Sequence, residues 1–182
     1  MEPLEQRAGD LSDLALCKLI EGHALADSSR IAVEAPGRVP MTYGRLFAHM
    51  KEVGRSLRSF GLGRDDRIAI VLPNGPDLAT AFLCVSAVAT SAPLNPAYRE
   101  EEFDYYLTDL NVKALIVESG TDSPAAAAAF QRGIPVITLC PAPGAEAGVF
   151  NLEGKERHTP GELDFAEPRD TALLLNESRM IL

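Results

Sequence analysis

The stretch Gly148-Val-Phe-Asn-Leu-Glu-Gly-Lys-Glu156 carries the glycines and the lysine of a phosphate-cradling loop. In such a loop four residues separate the glycines, so that backbone N–H groups converge on phosphate oxygens, and a Ser or Thr after the Lys ligates magnesium. Here five residues lie between Gly148 and Gly154, and Glu156 stands where the hydroxyl belongs. The stretch is therefore expected not to hold phosphate. Gly61-Leu-Gly63 has the first two glycines of a dinucleotide-binding turn, but it lacks the third and precedes a strand where that motif follows one. It reads as a helix terminator and a turn.

Other reactive types are scattered. His23, His49 and His158 could ligate metal or move protons, but a metal centre needs converging ligands and these three are isolated. They read as surface or packing histidines. Glu100, Glu101 and Glu102 could serve acid–base or metal chemistry, yet they fall in the first turn of an expected helix, where acids complement the macrodipole. Cys17, Cys84 and Cys140 are odd in number, far apart and without a C-x-x-C pair, which points to reduced packing thiols. Asp66, after Asp65, reads as turn and strand-entry chemistry, and Asn95 and Tyr98, between Pro93 and Pro96 and just beyond, as a turn supporting a sheet.

The elements that would position any site are legible from Met41 onward, where helix and strand patterns alternate as in an α/β layered, mostly parallel sheet flanked by helices. Thr42 can cap a helix whose apolar face is Leu46, Met50, Val53, Leu57 and Phe60, closed by Gly61. Ile68-Ala-Ile-Val-Leu72 is a continuous apolar run, which suits a strand covered on both faces. Pro73-Asn-Gly75 makes a turn, and Pro76 opens a helix with Leu78, Ala81, Phe82, Val85 and Val88 facing inward. A third helix buries Phe103, Tyr106, Leu107 and Leu110. Strand Ala114–Val117, a helix from Ser123-Pro124 to near Gly133, and strand Val136–Leu139 complete a core spanning 41–139. Residues 141–168 read as a variable solvated loop, and Thr171-Ala-Leu-Leu-Leu175 as a strand.

Composition bounds the function classes. With 182 residues and 46% apolar content the chain can bury one real core. A net charge of −9, with no cluster of Lys and Arg, argues against nucleic acid as a partner. The N-terminal residues lack the basic start and apolar run of a secretory signal, and no apolar stretch approaches the ~20 residues that span a bilayer. A cytoplasmic protein without membrane partners is expected.

Five ordered segments together carry a resemblance. They are Met41-Thr-Tyr-Gly-Arg-Leu46, Gly61-Leu-Gly-Arg-Asp-Asp-Arg-Ile-Ala-Ile-Val-Leu-Pro-Asn74, Ala92-Pro-Leu-Asn-Pro-Ala-Tyr98, Glu102-Phe-Asp-Tyr-Tyr-Leu-Thr-Asp-Leu110 and Lys113-Ala-Leu-Ile-Val117. The chain resembles the N-terminal part of the AMP-forming adenylate synthetases, the superfamily of acyl-CoA synthetases, firefly luciferase and peptide-synthetase adenylation domains. The Pro-Leu-Asn-Pro-Ala-Tyr form, followed by Arg99-Glu-Glu-Glu-Phe103, is similar to oxalate–CoA ligases. The resemblance implies the first subdomain of the large N-terminal domain, and a full-length family that uses ATP, Mg2+ and CoA.

In that family a strand similar to Thr171–Leu175 leads into a Ser/Thr/Gly-rich, Lys-ended loop that holds the pyrophosphate of ATP. Here Asn176-Glu-Ser-Arg-Met-Ile-Leu182 follows, an aberrant tail in which Glu177 would repel phosphate and Arg179 alone cannot replace the loop. No position matches the family's magnesium-holding, ribose-holding or lid elements. No catalytic, cofactor-binding or metal residue is assigned, and no cofactor is expected for the chain alone. Two readings stay open: an inactive N-terminal fragment of a carboxylate–CoA ligase, arising by truncation or frameshift, or a non-enzymatic module that self-associates or pairs with a separate remainder of the ligase.

Overall fold

The computed structural model describes residues 14–155 and 163–175. The elements are α1 (Leu16–Ala26), β1 (Ile31–Val33), β2 (Met41–Thr42), α2 (Tyr43–Ser59), β3 (Arg67–Val71), α3 (Pro76–Ser86), β4 (Thr90–Pro93), α4 (Glu100–Asp109), β5 (Ala114–Glu118), α5 (Pro124–Gln131), β6 (Val136–Pro141) and β7 (Phe150–Glu153). Five strands form one sheet in the order β4-β3-β5-β6-β7, and β1 and β2 make a small antiparallel ribbon. Pairs β4·β3, β3·β5 and β5·β6 are parallel, while β7 returns antiparallel to β6.

The apolar runs of β3 and β5 are continuous because each strand is dry on both sides. Ile68, Ile70, Ala114 and Ile116 point into one core with Leu46, Met50, Leu57, Cys84 and Val85 of α2 and α3. Ala69, Val71, Leu115 and Val117 point into a second core with Phe103, Leu107, Ala125 and Ala128 of α4 and α5. The connection from β3 to β4 runs one way along the sheet, and those from β4 to β5 and from β5 to β6 run the other way. Right-handed crossovers then require their helices on opposite faces, which gives the three layers.

Three helices end in the same way. Gly61 (φ 84°), Asn111 (φ 49°) and Gly133 (φ 66°) take the left-handed conformation just past α2, α4 and α5. The next residue's N–H then reaches back to a carbonyl in the last turn: Leu62 to Leu57 at 3.0 Å, Val112 to Leu107 at 3.1 Å, and Ile134 to Ala129 at 2.9 Å. At the start of α2 the Thr42 hydroxyl accepts from Arg45 N–H at 3.3 Å, as expected, whereas the Ser123 side chain makes no capping bond. In α3, Ala81, Val85 and Val88 are buried with Cys84, but the helix ends at Ser86 and Phe82 stays half-buried, outside both cores.

The expected structureless connection over 141–168 is corrected by β7. Phe150 and Leu152 alternate with Asn151 and Glu153 against β6, and Ala147, Val149 and Phe150 are buried. The turn composition masked a four-residue strand, because a short antiparallel return needs only two inward apolar side chains and a neighbouring edge. Residues 142–149 form a strap that crosses back over α3. Ala147 N–H donates to Val39 O at 2.7 Å, and Thr80 Oγ1 lies 2.6 Å from Gly148 O.

Segment 171–175 lies beside β4. Ser91 N–H donates to Ala172 O at 3.0 Å and Leu174 N–H to Ser91 O at 2.9 Å, in a single parallel bridge at Leu173. The Thr90 and Ser86 hydroxyls donate to Thr171 O and Ala172 O at 2.7 and 2.9 Å. Arg64 anchors the segment before it, reaching Asp170 Oδ2 at 2.6 Å and Glu167 Oε1 at 2.9 Å. No helix among the described residues is long and apolar enough to cross a membrane.

Gly148 sets a test of the strap. It has φ 84°, and a Cβ there would meet Thr80 Cγ2 at 2.5 Å and Pro76 O at 2.9 Å. Gly148→Ala is expected to lower the unfolding free energy by about 2–4 kcal/mol, from left-handed strain plus overpacking. Gly120→Ala, with φ 74° and nothing within 4 Å of a Cβ, is expected to cost about 1–2 kcal/mol. Urea denaturation of the two variants measures the difference.

Candidate functional site

In an open sheet with helices on both faces, a ligand crevice opens beyond the carboxyl ends of two strands whose connections leave in opposite directions. Here those strands are β3 and β5. A cavity of about 130 Å3 lies there, walled by Pro73, Asn74, Asp77, Glu118 and Leu139. Pro76 at the first helical position fixes the start of α3, and Ala79 N–H bonds back to Gly75 O at 3.1 Å. That geometry places Asp77 in the first turn, where a carboxylate suits the helix dipole. Asp77 Oδ1 is nevertheless buried without a protein partner. Burial pushes its carboxyl above the usual carboxylate range, against the pull of Arg38 and His49.

His49 backs the same turn from α2. Its side chain is 1% exposed, its Nδ1 is 3.4 Å from Glu52 Oε2, and its ring meets Phe150 edge-on with centroids 4.6 Å apart. Burial lowers its pKa below the ordinary 6.5, and the Glu52 carboxylate only partly offsets this. Arg38 closes the cluster from the β1–β2 connection, with Nη2 donating to Ala142 O at 2.9 Å and Glu146 O at 3.1 Å. A larger cavity of about 480 Å3 lies at the opposite, amino-terminal ends of β5 and β6, between Phe60, Lys113, Phe130 and Lys155.

The residues singled out in the sequence do not converge. His23 stacks against Tyr43 near α1, at 4.8 Å between centroids. Gly148 and Gly154 flank β7, so the two glycines sit at opposite ends of a strand and not in one loop. Asp66 Oδ2 accepts from Gly63 N–H at 2.9 Å, closing the turn into β3. Glu102 Oε2 accepts from Arg99 N–H at 2.9 Å, and Glu100 accepts from Gln131 at 2.6 Å. Asn95 Oδ1 accepts from Ala97 N–H at 3.0 Å, while Tyr98 packs on Phe103 and Tyr106. Cys84 is fully buried and its thiol pKa is pushed up by burial, and the three cysteines are free. Among the described residues no group of three His, Cys, Asp or Glu is placed to hold a metal ion. His158, Glu156 and the tail 176–182 lie outside the described residues.

Arg38, Asp77 and Glu118 were not singled out in the sequence. The signal available for Asp77 was its place after Pro76 at a helix start. Arg38 and Glu118 become recognisable only when the β1–β2 connection and the end of β5 are seen against α3.

Comparison with known proteins gives this geometry its family. The AMP-binding enzyme family matches residues 20–175. The chain belongs to that family. It is 31% identical over 172 residues to a probable CoA ligase of Humulus lupulus, covering 92% of this chain and 32% of that protein. It is 30% identical over 166 residues to an oxalate–CoA ligase of Arabidopsis thaliana, covering 90% of this chain and 32% of that one. Its fold matches apo MatB from Rhodopseudomonas palustris with a TM-score of 0.68 at 24% identity, over 91% of this chain and 32% of that structure. The chain thus spans about a third of the length of the curated relatives it matches, and that third is their N-terminal portion.

The buried imidazole makes stability pH-dependent. The folded pKa of His49 lies below its unfolded value of 6.5, so the stabilisation is present above pH 6.5 and is lost as pH falls through the folded value. The melting temperature is expected to fall between pH 7 and pH 5 in the wild type. His49→Gln should flatten that fall, and thermal melts of both proteins across the window check it.

Proposed function

We propose that this chain is the N-terminal scaffold portion of an AMP-forming carboxylate–CoA ligase and performs no adenylation by itself. The observation that carries the reading is the match to CoA ligases over nine-tenths of this chain and a third of theirs. The full family reaction joins a carboxylate to ATP as an acyl-adenylate, expels pyrophosphate, and passes the acyl group to the CoA thiol.

The crevice at the carboxyl ends of β3 and β5 is small for ATP. Small-molecule sites usually enclose about 300–1,000 Å3, and the crevice at the carboxyl ends holds about 130 Å3. Asp77 and Glu118 line it, and two acids there would repel a triphosphate. No step is assigned to this chain's residues. Their contribution is the three-layer sheet and the edge at 171–175, where Leu175 is 72% exposed and β4 is met by only one bridge. That edge supports a second reading, in which a separately made remainder of the ligase docks beside 171–175.

Two measurements test the reading. The purified chain is expected to show no ATP–pyrophosphate exchange with oxalate or other carboxylates, and no heat of binding with Mg-ATP. Micromolar affinity for Mg-ATP would overturn it. Mixing the chain with a purified polypeptide covering the remaining two-thirds of an oxalate–CoA ligase distinguishes the second reading, which expects a stable complex with restored exchange.

A further inference from the structure

We propose that the cavity at the amino-terminal ends of β5 and β6 is a binding site for a small apolar acid, an aromatic or branched monocarboxylate. It encloses about 480 Å3, within the range of about 300–1,000 Å3 usual for small-molecule sites, whereas the crevice at the carboxyl ends holds about 130 Å3. The two lie at opposite ends of the sheet and share no wall residue.

The apolar wall is built where two helices stop. Gly61 and Gly133 both line the cavity, and at their left-handed turns the chain leaves α2 for Leu62 and α5 for Ile134-Pro135-Val136. Phe60 closes one side. A Cβ at Gly154 would lie 3.1–3.2 Å from three atoms of the Phe60 ring, so the glycine lets the chain beyond β7 lie close against that ring and brings Lys155 to the wall. Phe130 lines the cavity as well. Helix α5 buries Ala125, Ala128 and Ala129, and the next position leaves Phe130 84% exposed. An apolar ligand lying over this ring takes out of water a surface that the fold itself leaves wet.

Charge sets the class of ligand. Leu115 pairs with Val136 and Glu153 with Thr138, so Lys113, just before β5, and Lys155, just after β7, stand on either side of the start of β6. Neither lysine has an ion-pair partner among the described residues. A carboxylate at this rim is attracted by both. Asp66, whose Oδ2 accepts from Gly63 N–H at 2.9 Å, and the carbonyl ends of α2 and α5 give other parts of the wall negative character. They disfavour a dianion, and the lysines disfavour a cation. A single negative head at the β6 rim, with an apolar body over Phe60 and Phe130, fits both constraints.

Indane-2-carboxylate, its neutral carboxamide and 2-(aminomethyl)indane carry three different charges on one apolar body. Titrated into the 15N-labelled whole chain, the carboxylate should shift the amide signals of Leu62, Lys113, Gly133 and Lys155 with a dissociation constant on the order of 1 mM, the strength of a fragment-sized ligand. Asn74, Asp77 and Glu118 should not move. The carboxamide should bind about three- to tenfold more weakly, the scale of exposed ion pairs, and the ammonium more weakly still. Lys113→Gln combined with Lys155→Gln should bring the carboxylate to the affinity of the carboxamide and leave the latter unchanged. Phe130→Ala, which removes an exposed ring and leaves both cores intact, should weaken carboxylate and carboxamide alike by at least about threefold. No shift at about 10 mM carboxylate, shifts centred on Asn74 and Glu118, or equal affinity for carboxylate and ammonium overturns the proposal. So does a carboxylate affinity that survives the double lysine variant or Phe130→Ala.

Discussion

The parallel pairing of β3 with β5, Ile68 against Ala114 through Val71 against Val117, is the contact on which the rest depends. Neither strand has a wet face, because Ile68 and Ile70 enter one core and Ala69 and Val71 the other. A strand so enclosed cannot be joined to a parallel neighbour by a hairpin. Each crossover must carry a helix, and each helix must bury its own stripe against the sheet. The two helix layers, the reversal in strand order and the crevice between β3 and β5 all follow from that single requirement.

The second organising constraint is polar. The antiparallel return of β7 brings the 142–149 strap across the start of α3, where the Asp77 carboxyl feels both Arg38 and His49 electrostatically. Burial raises the Asp77 carboxyl and lowers the His49 imidazole, so both charges are disfavoured there. Groups with such opposing shifts often mark active sites, but structural networks shift titrating groups too. The small volume of the crevice and its two acids favour the structural role. On the proposed reading, this N-terminal portion supplies the sheet scaffold and the chemistry belongs to residues outside it.

Most helices and strands from Met41 to Leu139, though not β4 at Thr90–Pro93, were legible in the sequence because their signals are local. An apolar stripe at steps of three and four, a continuous apolar run, a Pro that opens a helix and a Gly or Asn that closes one each act within a few residues. The family could be read for the same reason, as five short segments in order. β7 was not legible, because its two inward residues, Phe150 and Leu152, make too short an alternation to stand out in a Gly- and Glu-rich stretch. Nor was the way segment 171–175 meets β4, since its pairing rests on Thr90 and Ser86 hydroxyls some eighty residues away.

The sequence by itself determined the layered parallel sheet, most of its helix ends and its family. Tertiary structure alone decided which polar groups share a space. Arg38 lies on the β1–β2 connection, His49 on α2 and Asp77 on α3, with no spacing rule between them, and the packing of these segments lets Asp77 feel both of the others. Side-chain periodicity records which way a residue faces from its own backbone. What it faces depends on the packing of elements distant in the chain, and there burial turns ordinary ionisable groups into an electrostatic cluster.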